Sequence, residues 1–471
     1  MKYLKPAKVL DDIYKTISIE PLINRDEFDA FYRADLNETR GIDKMGLISL
    51  DLKRAFGSLH YKALVMGHWG VGKSTEFTRL SDMIKDQYNV IRFSIKDELD
   101  PSAFQPFDVL LWMMMEIARR TALPKEQNGA GKAPSDSLLR KFLEWFDLEE
   151  KTVKKTIQSS GSIYAGAGIS GDSLWAKMLG LFVSLKAEMQ VAGVREETVV
   201  KYRMSKLAEL IDMANAVIDE CNDLLKKNAS REWLFIGEDF EKEGVSPEPV
   251  RMLFTTYSNV LKLLRCHMIF TIPIDLGFSE TAAKLPIPME RKILIPDTPV
   301  YDRYLKPHDM GRKALQSVLE ARVDPKCFAQ DQIKRLIVAS GGNLRDLFSM
   351  VVYSSNLAIM RENKNRKIEA RDVNDAILML RAEFEGRLGR DPHIEKQIIY
   401  EDKVKRLLEI HNRRPRAKIR DEVLYSLFRS RAVQEFDTEK WFGVHPVVVD
   451  ILAEQNYIKQ SKEGIVPGGT I

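Results

Sequence analysis

Eight consecutive residues, Gly67-His68-Trp69-Gly70-Val71-Gly72-Lys73-Ser74, have the types and spacing of a phosphate cradle, G-x-x-x-x-G-K-S. Glycines at these positions let backbone N–H groups turn toward a β-phosphate, and the helix that opens at the lysine adds partial positive charge. Lys73 is expected to reach the β- and γ-phosphates, and the Ser74 hydroxyl, followed by Thr75, to ligate magnesium. The ligands implied are ATP and Mg2+. His68 and Trp69 lie inside the loop and are expected to cover the nucleotide with their side chains.

Hydrolysis needs a carboxylate at the end of a neighbouring strand, and the apolar run Trp233-Leu234-Phe235-Ile236 leads through Gly237 into Glu238 and Asp239. Glu238 is expected to serve the magnesium shell. Asp239, reaching further past the sheet, is expected to orient the attacking water as general base. Thr271 closes another apolar run with a hydroxyl suited to that water or to the γ-phosphate. Arg345 follows the break Gly341-Gly342 on the first turn of a helix, from which a guanidinium could read the γ-phosphate.

These groups must be positioned by a layered α/β core. Ala63–Met66 reads as a buried strand before the loop, and Lys73–Met83 as the helix after it. Further strands are expected at Val90–Ile95, Glu232–Ile236, His267–Thr271 and Lys292–Ile295, separated by helices, which implies a parallel sheet covered on both faces. The 471 residues suggest roughly three domains by length. The divisions expected are an N-terminal helical segment over 1–60, an ATPase core over 61–300 with an insertion at about 125–200, a helical lid over 301–390, and a C-terminal unit over 391–471 with three short helices and a final hairpin. Basic and acidic residues nearly balance at 72 against 68, which argues against a chain coated along its length by nucleic acid. No apolar run approaches the ~20 residues of a membrane span. Cys221, Cys266 and Cys327 are odd in number and lack metal-ligand spacing, as expected in a reducing cytoplasm.

In this order the motifs resemble those of AAA+ and STAND ATPases, in particular the origin-recognition type of initiator ATPase, over about residues 30–385 without the insertion. By this resemblance Thr39-Arg40-Gly41 is the adenine-side segment, which makes Arg40 a nucleotide-binding residue. Gly67–Ser74 is Walker A, Glu238-Asp239 Walker B, Thr271 sensor 1 and Arg345 sensor 2, and Leu315–Arg322 and Ile368–Ala376 belong to the lid. Glu238 stands where the family has an aspartate, and Gly237 where it has an apolar residue. A narrower similarity is to bacterial STAND-like ATPases with Gly-Lys-Ser-Thr-Glu, here Gly72–Glu76, a strand ending Thr-x-Pro, here Thr271–Pro273, and Trp-x-x-Val-His-Pro, here Trp441–Pro446. Some of that group are suspected of belonging to mobile-element or phage-defence systems.

The resemblance implies a winged-helix-like C-terminal domain and a slowly hydrolysing switch that acts as a homo-oligomer or on a partner effector protein. One alternative is a DNA-binding initiator or transposition regulator. It would use the basic run Arg413, Arg414, Arg416, Lys418 and Arg420 within 413–431, and is less favoured than a packing role for that run. Another is an ATP-binding scaffold without turnover.

Overall fold

In a computed structural model, five strands form a parallel sheet in the order β2-β3-β4-β1-β5. They are β1 (Lys62–Met66), β2 (Tyr88–Ser94), β3 (Glu232–Glu238), β4 (His267–Ile272) and β5 (Lys292–Leu294). The structure describes all residues except 1–2, 157–172, 280–281, 283–284, 286, 362–366, 390–397, 437–440 and 460–471. The Gly/Ser-rich stretch Ser159–Gly171 lies outside the described residues.

Alternate residues of each strand point to opposite faces, and the sheet uses both. Ala63, Val65, Leu234, Ile236 and Ile269 pack against helices α1 (Lys44–Ala55) and α2 (Lys73–Ile84). Leu64, Met66, Phe235, Met268 and Phe270 belong to the larger cluster on the other face, with helix α3 (Pro106–Ala122). Burial on both sides explains why these strands read as continuous apolar runs. β3 is buried along its whole length and continues through Glu238, two residues beyond the expected end at Ile236. β4 lies between β1 and β3, so the strand carrying Glu238 is separated from the P-loop strand by the strand carrying Thr271.

Between β2 and β3 the chain forms α4 (Asp136–Thr156), α5 (Leu174–Gln190), α6 (Glu197–Ser205) and α7 (Leu207–Ala229), the last lying along α3. Arg195, just before α6, ion-pairs Asp108 on α3 at 2.8 Å and Glu188 on α5 at 2.6 Å. The segment after β5 is helical, with α8 (Asp309–Glu320), α9 (Gln332–Ala339), α10 (Leu344–Met360) and α11 (Ala370–Leu388).

The C-terminal segment contains α12 (Tyr400–His411), α13 (Glu422–Arg429), the antiparallel strands β6 (Val433–Phe436) and β7 (Trp441–Val444), and α14 (Pro446–Glu454). Among the described residues a hairpin precedes α14, and the end of the chain, 460–471, lies outside the described residues. The Pro446 ring starts α14, and the His445 side chain accepts a hydrogen bond from the Val447 N–H at its N-cap. Among the described residues no helix is long and apolar enough to cross a membrane. The three cysteines are buried and unpaired.

Candidate functional site

The P-loop bridges β1 and α2 with all three of its glycines, Gly67, Gly70 and Gly72, at positive φ. Gly70, at φ 88°, could not carry a side chain, because a Cβ would lie 2.6 Å from the Arg345 Cβ. The loop is thus pressed against the start of α10. The Asn343 side chain caps that helix by accepting from the Arg345 N–H at 3.1 Å, and its amide donates to the Trp69 carbonyl at 3.0 Å.

Lys73 is buried, and its Nζ donates to the Gly67 and His68 carbonyls at 2.8 and 3.0 Å. Its third partner is Glu241, at 2.8 Å, with the two side chains only 6 % and 8 % exposed. Glu241 was not expected from sequence reasoning. The signal was present in Glu238-Asp239-Phe240-Glu241, where three acids crowd the exit of a buried strand. The other carboxylate oxygen of Glu241 is buried with no hydrogen-bond partner.

Glu238 lies at the last position of β3, close to the Ser74 side chain, and receives Arg92 Nε at 2.7 Å. Burial pushes its carboxyl above the ordinary range, against the pull of Arg92 and of the neighbouring Ser74 hydroxyl. Arg92 also donates to the Ser74 carbonyl at 3.0 Å and to Thr78 Oγ1 at 2.9 Å, so it ties β2, β3 and α2 together. It too went unnoticed, although a charged residue within Val90-Ile91-Arg92-Phe93 interrupts a buried strand. Ser74 and Glu238 present two hard oxygen donors side by side at the helix start, a donor set that fits Mg2+.

Asp239 differs from its expected placement. It adopts a left-handed conformation, φ 70°, which turns its carboxylate onto Ser94 Oγ at 2.7 Å and Lys242 Nζ at 3.3 Å. The later residue of the pair therefore does not reach further along the strand, because the strand ends at Glu238 and the chain turns at Asp239. Thr271 lies opposite Val65 and one step beyond the Phe270–Gly237 pairing, level with Glu238. Its hydroxyl is buried without a partner.

A cavity of about 880 Å³ opens over these groups. Trp69, Gly70, Val71, Gly72, Lys73, Ser74 and Thr75 form its floor, with Glu238, Asp239 and Glu241 on one side. Arg345 lines it from the start of α10. Opposite stands the N-terminal segment, held down where the Leu22 N–H donates to Thr75 Oγ1 at 3.2 Å and the Tyr32 hydroxyl donates to Glu76 at 2.9 Å. Phe31, Tyr32 and Phe348 also line it, beside Arg33 and Arg322. There the Arg322 guanidinium stacks 4.9 Å from the rings of both Phe31 and Phe348, and burial, aided by the charge of Arg33, lowers it to about 9. Arg40 also lines the cavity, fully buried, with Nε donating to Thr298 Oγ1 at 3.0 Å.

His68 does not cover this cavity. Its Nδ1 lies 2.9 Å from Asp297, and the residue lines a different cavity. Burial opposes ionisation of Asp297, yet His68, Arg431 and the Asn343 hydrogen bond hold it well below the usual carboxylate range. Trp69 meets three guanidinium groups, those of Arg431 at 4.3 Å, Arg387 at 4.4 Å and Arg345 at 5.4 Å from its ring centre. Arg431 comes from the C-terminal segment, is buried, and forms a two-pronged ion pair with Asp346 on α10. Arg429 pairs with Asp275 beyond β4 at 2.8 Å, Gln434 donates to the Gly341 carbonyl at 2.9 Å, and His445 stacks on Phe384 at 4.3 Å. The C-terminal segment is thus anchored around the break that precedes Arg345.

The residues of the basic run whose side chains are described, Arg413, Arg414 and Arg420, are exposed. Arg413 lies 5.3 Å from the Tyr304 ring and Arg420 4.9 Å from the Phe278 ring.

No family model and no curated protein matches the chain. Among solved structures it is similar to the Orc1 protein of Aeropyrum pernix, described in complex with DNA, at 11 % identity and a TM-score of 0.36, over 97 % of this chain and 99 % of that one. It is also similar to the Walker-type ATPase paby2304 of Pyrococcus abyssi, at 12 % identity and a TM-score of 0.39, over 93 % and 99 % respectively.

Proposed function

We propose that the chain binds ATP with Mg2+ in the 880 Å³ cavity and hydrolyses it slowly, acting as a nucleotide-controlled switch of the AAA+/STAND kind. The observation that carries this reading is the convergence of Lys73, Ser74, Glu238 and Glu241 in one cavity that Phe31, Tyr32 and Phe348 also line. Magnesium held by Ser74 and Glu238 would neutralise phosphate charge. Lys73 exchanges Glu241 for the β- and γ-phosphates. Glu241, released beside the γ-phosphate, takes the role first expected of Asp239. Water oxygen bonds to the γ-phosphorus, the bond to the β–γ bridging oxygen breaks with its electron pair leaving on ADP, and the water proton passes to Glu241. Arg345 reads the γ-phosphate from α10.

The output is a change in how the winged-helix-like segment sits on Trp69 and Asp346, passed to a second copy or to a partner effector, in a setting such as phage defence. Sedimentation of the full chain with Mg2+ and ATP, ADP or neither tests the switch. ATP-dependent association, or an ATP-dependent change in frictional ratio, supports it. Identical behaviour in all three conditions, with ATP bound, favours the scaffold without turnover. The packing of Arg413 and Arg420 on aromatic rings speaks for a structural use of the basic run rather than a DNA-binding one.

A further inference from the structure

A second cavity, of about 260 Å³, lies behind the P-loop, and Trp69, Glu241 and Lys242 line both it and the nucleotide cavity. Its walls come from the start of the P-loop, the chain after β3, the exit of β4, the end of α11 and the end of α13. It gathers five cationic side chains, Lys242, Arg251, Arg387, Arg429 and Arg431, with the carboxylates of Glu241, Glu243 and Asp275, and Lys242 and Arg387 are also paired to Asp239 and Glu383 outside it. Two of those carboxylates are already engaged, Glu241 by Lys73 and Asp275 by Arg429. Among the described residues Arg251, an exposed side chain at the rim, has no carboxylate partner, whereas the buried Arg431 is paired to Asp346. Even so, the buried Arg431 Nε and Arg387 Nη1 have no hydrogen-bond acceptor, and Arg431 is only 2 % exposed. Buried N–H groups without acceptors are costly, more so when charged, and are a standing demand for an acceptor. Glu241 is the shared wall between this cavity and the place proposed for the γ-phosphate.

We infer that this cavity is a second oxyanion site, which takes a tetrahedral phosphate and receives the one cleaved from ATP before it leaves the protein. The inference rests on the ATPase reading of the first cavity. Departure of Lys73 from Glu241 frees that carboxylate to move, and the rear cavity then offers the product a route lined by guanidinium groups, while ADP still blocks the front. Arginine suits the purpose, since its planar fork matches phosphate oxygens.

The test uses the full chain saturated with Mg2+, ADP and beryllium fluoride, so that the γ-position is filled, and titrates inorganic phosphate by calorimetry. One further phosphate is expected per chain, with affinity at least tenfold weaker in Arg251→Ala. No phosphate heat in a chain that binds ADP–beryllium fluoride overturns the inference and leaves the ATPase reading standing. So does phosphate binding that Arg251→Ala leaves unchanged. Failure to bind ADP–beryllium fluoride at all overturns both. The source of the phosphate is read by single-turnover hydrolysis of ATP, with cleavage and phosphate release followed separately. Release that lags cleavage, with a lag altered severalfold by Arg251→Ala, identifies the product as the occupant. Coincident cleavage and release in both chains overturns the exit role and leaves a site filled from solution.

Discussion

The Lys73 ammonium and the Glu241 carboxylate form a buried ion pair 2.8 Å long at the mouth of the P-loop. Breaking such a pair by removing one partner costs about 3–5 kcal/mol, because the other charge is left behind in low dielectric. On the proposed reading, a nucleotide would displace Glu241 by offering Lys73 a better anion, and a triphosphate would do so more readily than a monophosphate.

Glu241→Gln removes the competitor and the proposed proton acceptor together. ATP affinity should hold or rise, and single-turnover hydrolysis should fall about 10²–10⁴-fold. Asp239→Asn should change hydrolysis far less, since Asp239 is committed to Ser94 and Lys242. If Asp239→Asn stops turnover and Glu241→Gln does not, the roles belong the other way round.

Arg345→Ala should leave ADP affinity nearly unchanged while weakening ATP binding. Hydrogen bonds to charged groups contribute about 1.5–3 kcal/mol, which corresponds to a loss of about ten- to hundredfold in discrimination. Equilibrium titration of both nucleotides decides this, and undiminished preference for ATP would make Arg345 a packing residue for Trp69.

Anchoring of the C-terminal segment should weaken in acid. Burial lowers His445 from 6.5 to about 4, so the anchored state holds it neutral. Asp346, Arg431 and Asp297 face the same group. Between these two values the released or unfolded chain binds the proton more readily. The contribution is therefore complete above pH 6.5 and is lost as pH falls through the window toward 4. Hydrogen exchange of residues 441–454 across that range should show falling protection, and His445→Gln should flatten the dependence.

Duplex DNA should bind weakly or not at all. Where a basic run holds phosphates, binding falls steeply with salt, and charge reversal flattens the slope by roughly one unit per lost contact. The expected result is no salt-dependent binding by the parent at moderate salt. A steep slope that Arg413→Glu, Arg414→Glu and Arg416→Glu together abolish would restore the initiator reading.

The sheet was legible because both its faces are buried, which leaves uninterrupted apolar runs such as Ala63–Met66 and Trp233–Ile236. The P-loop was legible because its glycines and lysine are adjacent in sequence. The partners of Lys73 and Ser74 were less so. Glu241 comes from the loop after β3, Arg92 from β2, and neither spacing reveals which carboxylate each cation meets. The register of the acidic pair was misread because β3 runs two residues beyond its apolar core, and because the turn at Asp239 depends on a left-handed backbone that Asp adopts without a sequence signature. The three guanidinium groups around Trp69 come from positions 345, 387 and 431. Only the folded chain brings these together, and the same is true of the His68–Asp297 contact.

The central claim, that the cavity over Lys73 is an ATP–magnesium site, is tested most directly by calorimetric titration of Mg2+–ATP into the parent chain and into Lys73→Ala. The double variant Lys73→Ala/Glu241→Gln, which leaves no unpaired buried charge, is titrated alongside, and far-UV circular dichroism confirms that all three are folded. The account predicts one ATP per parent chain and at least a hundredfold loss of affinity in both variants. Equal affinity in the parent and the folded double variant would contradict it.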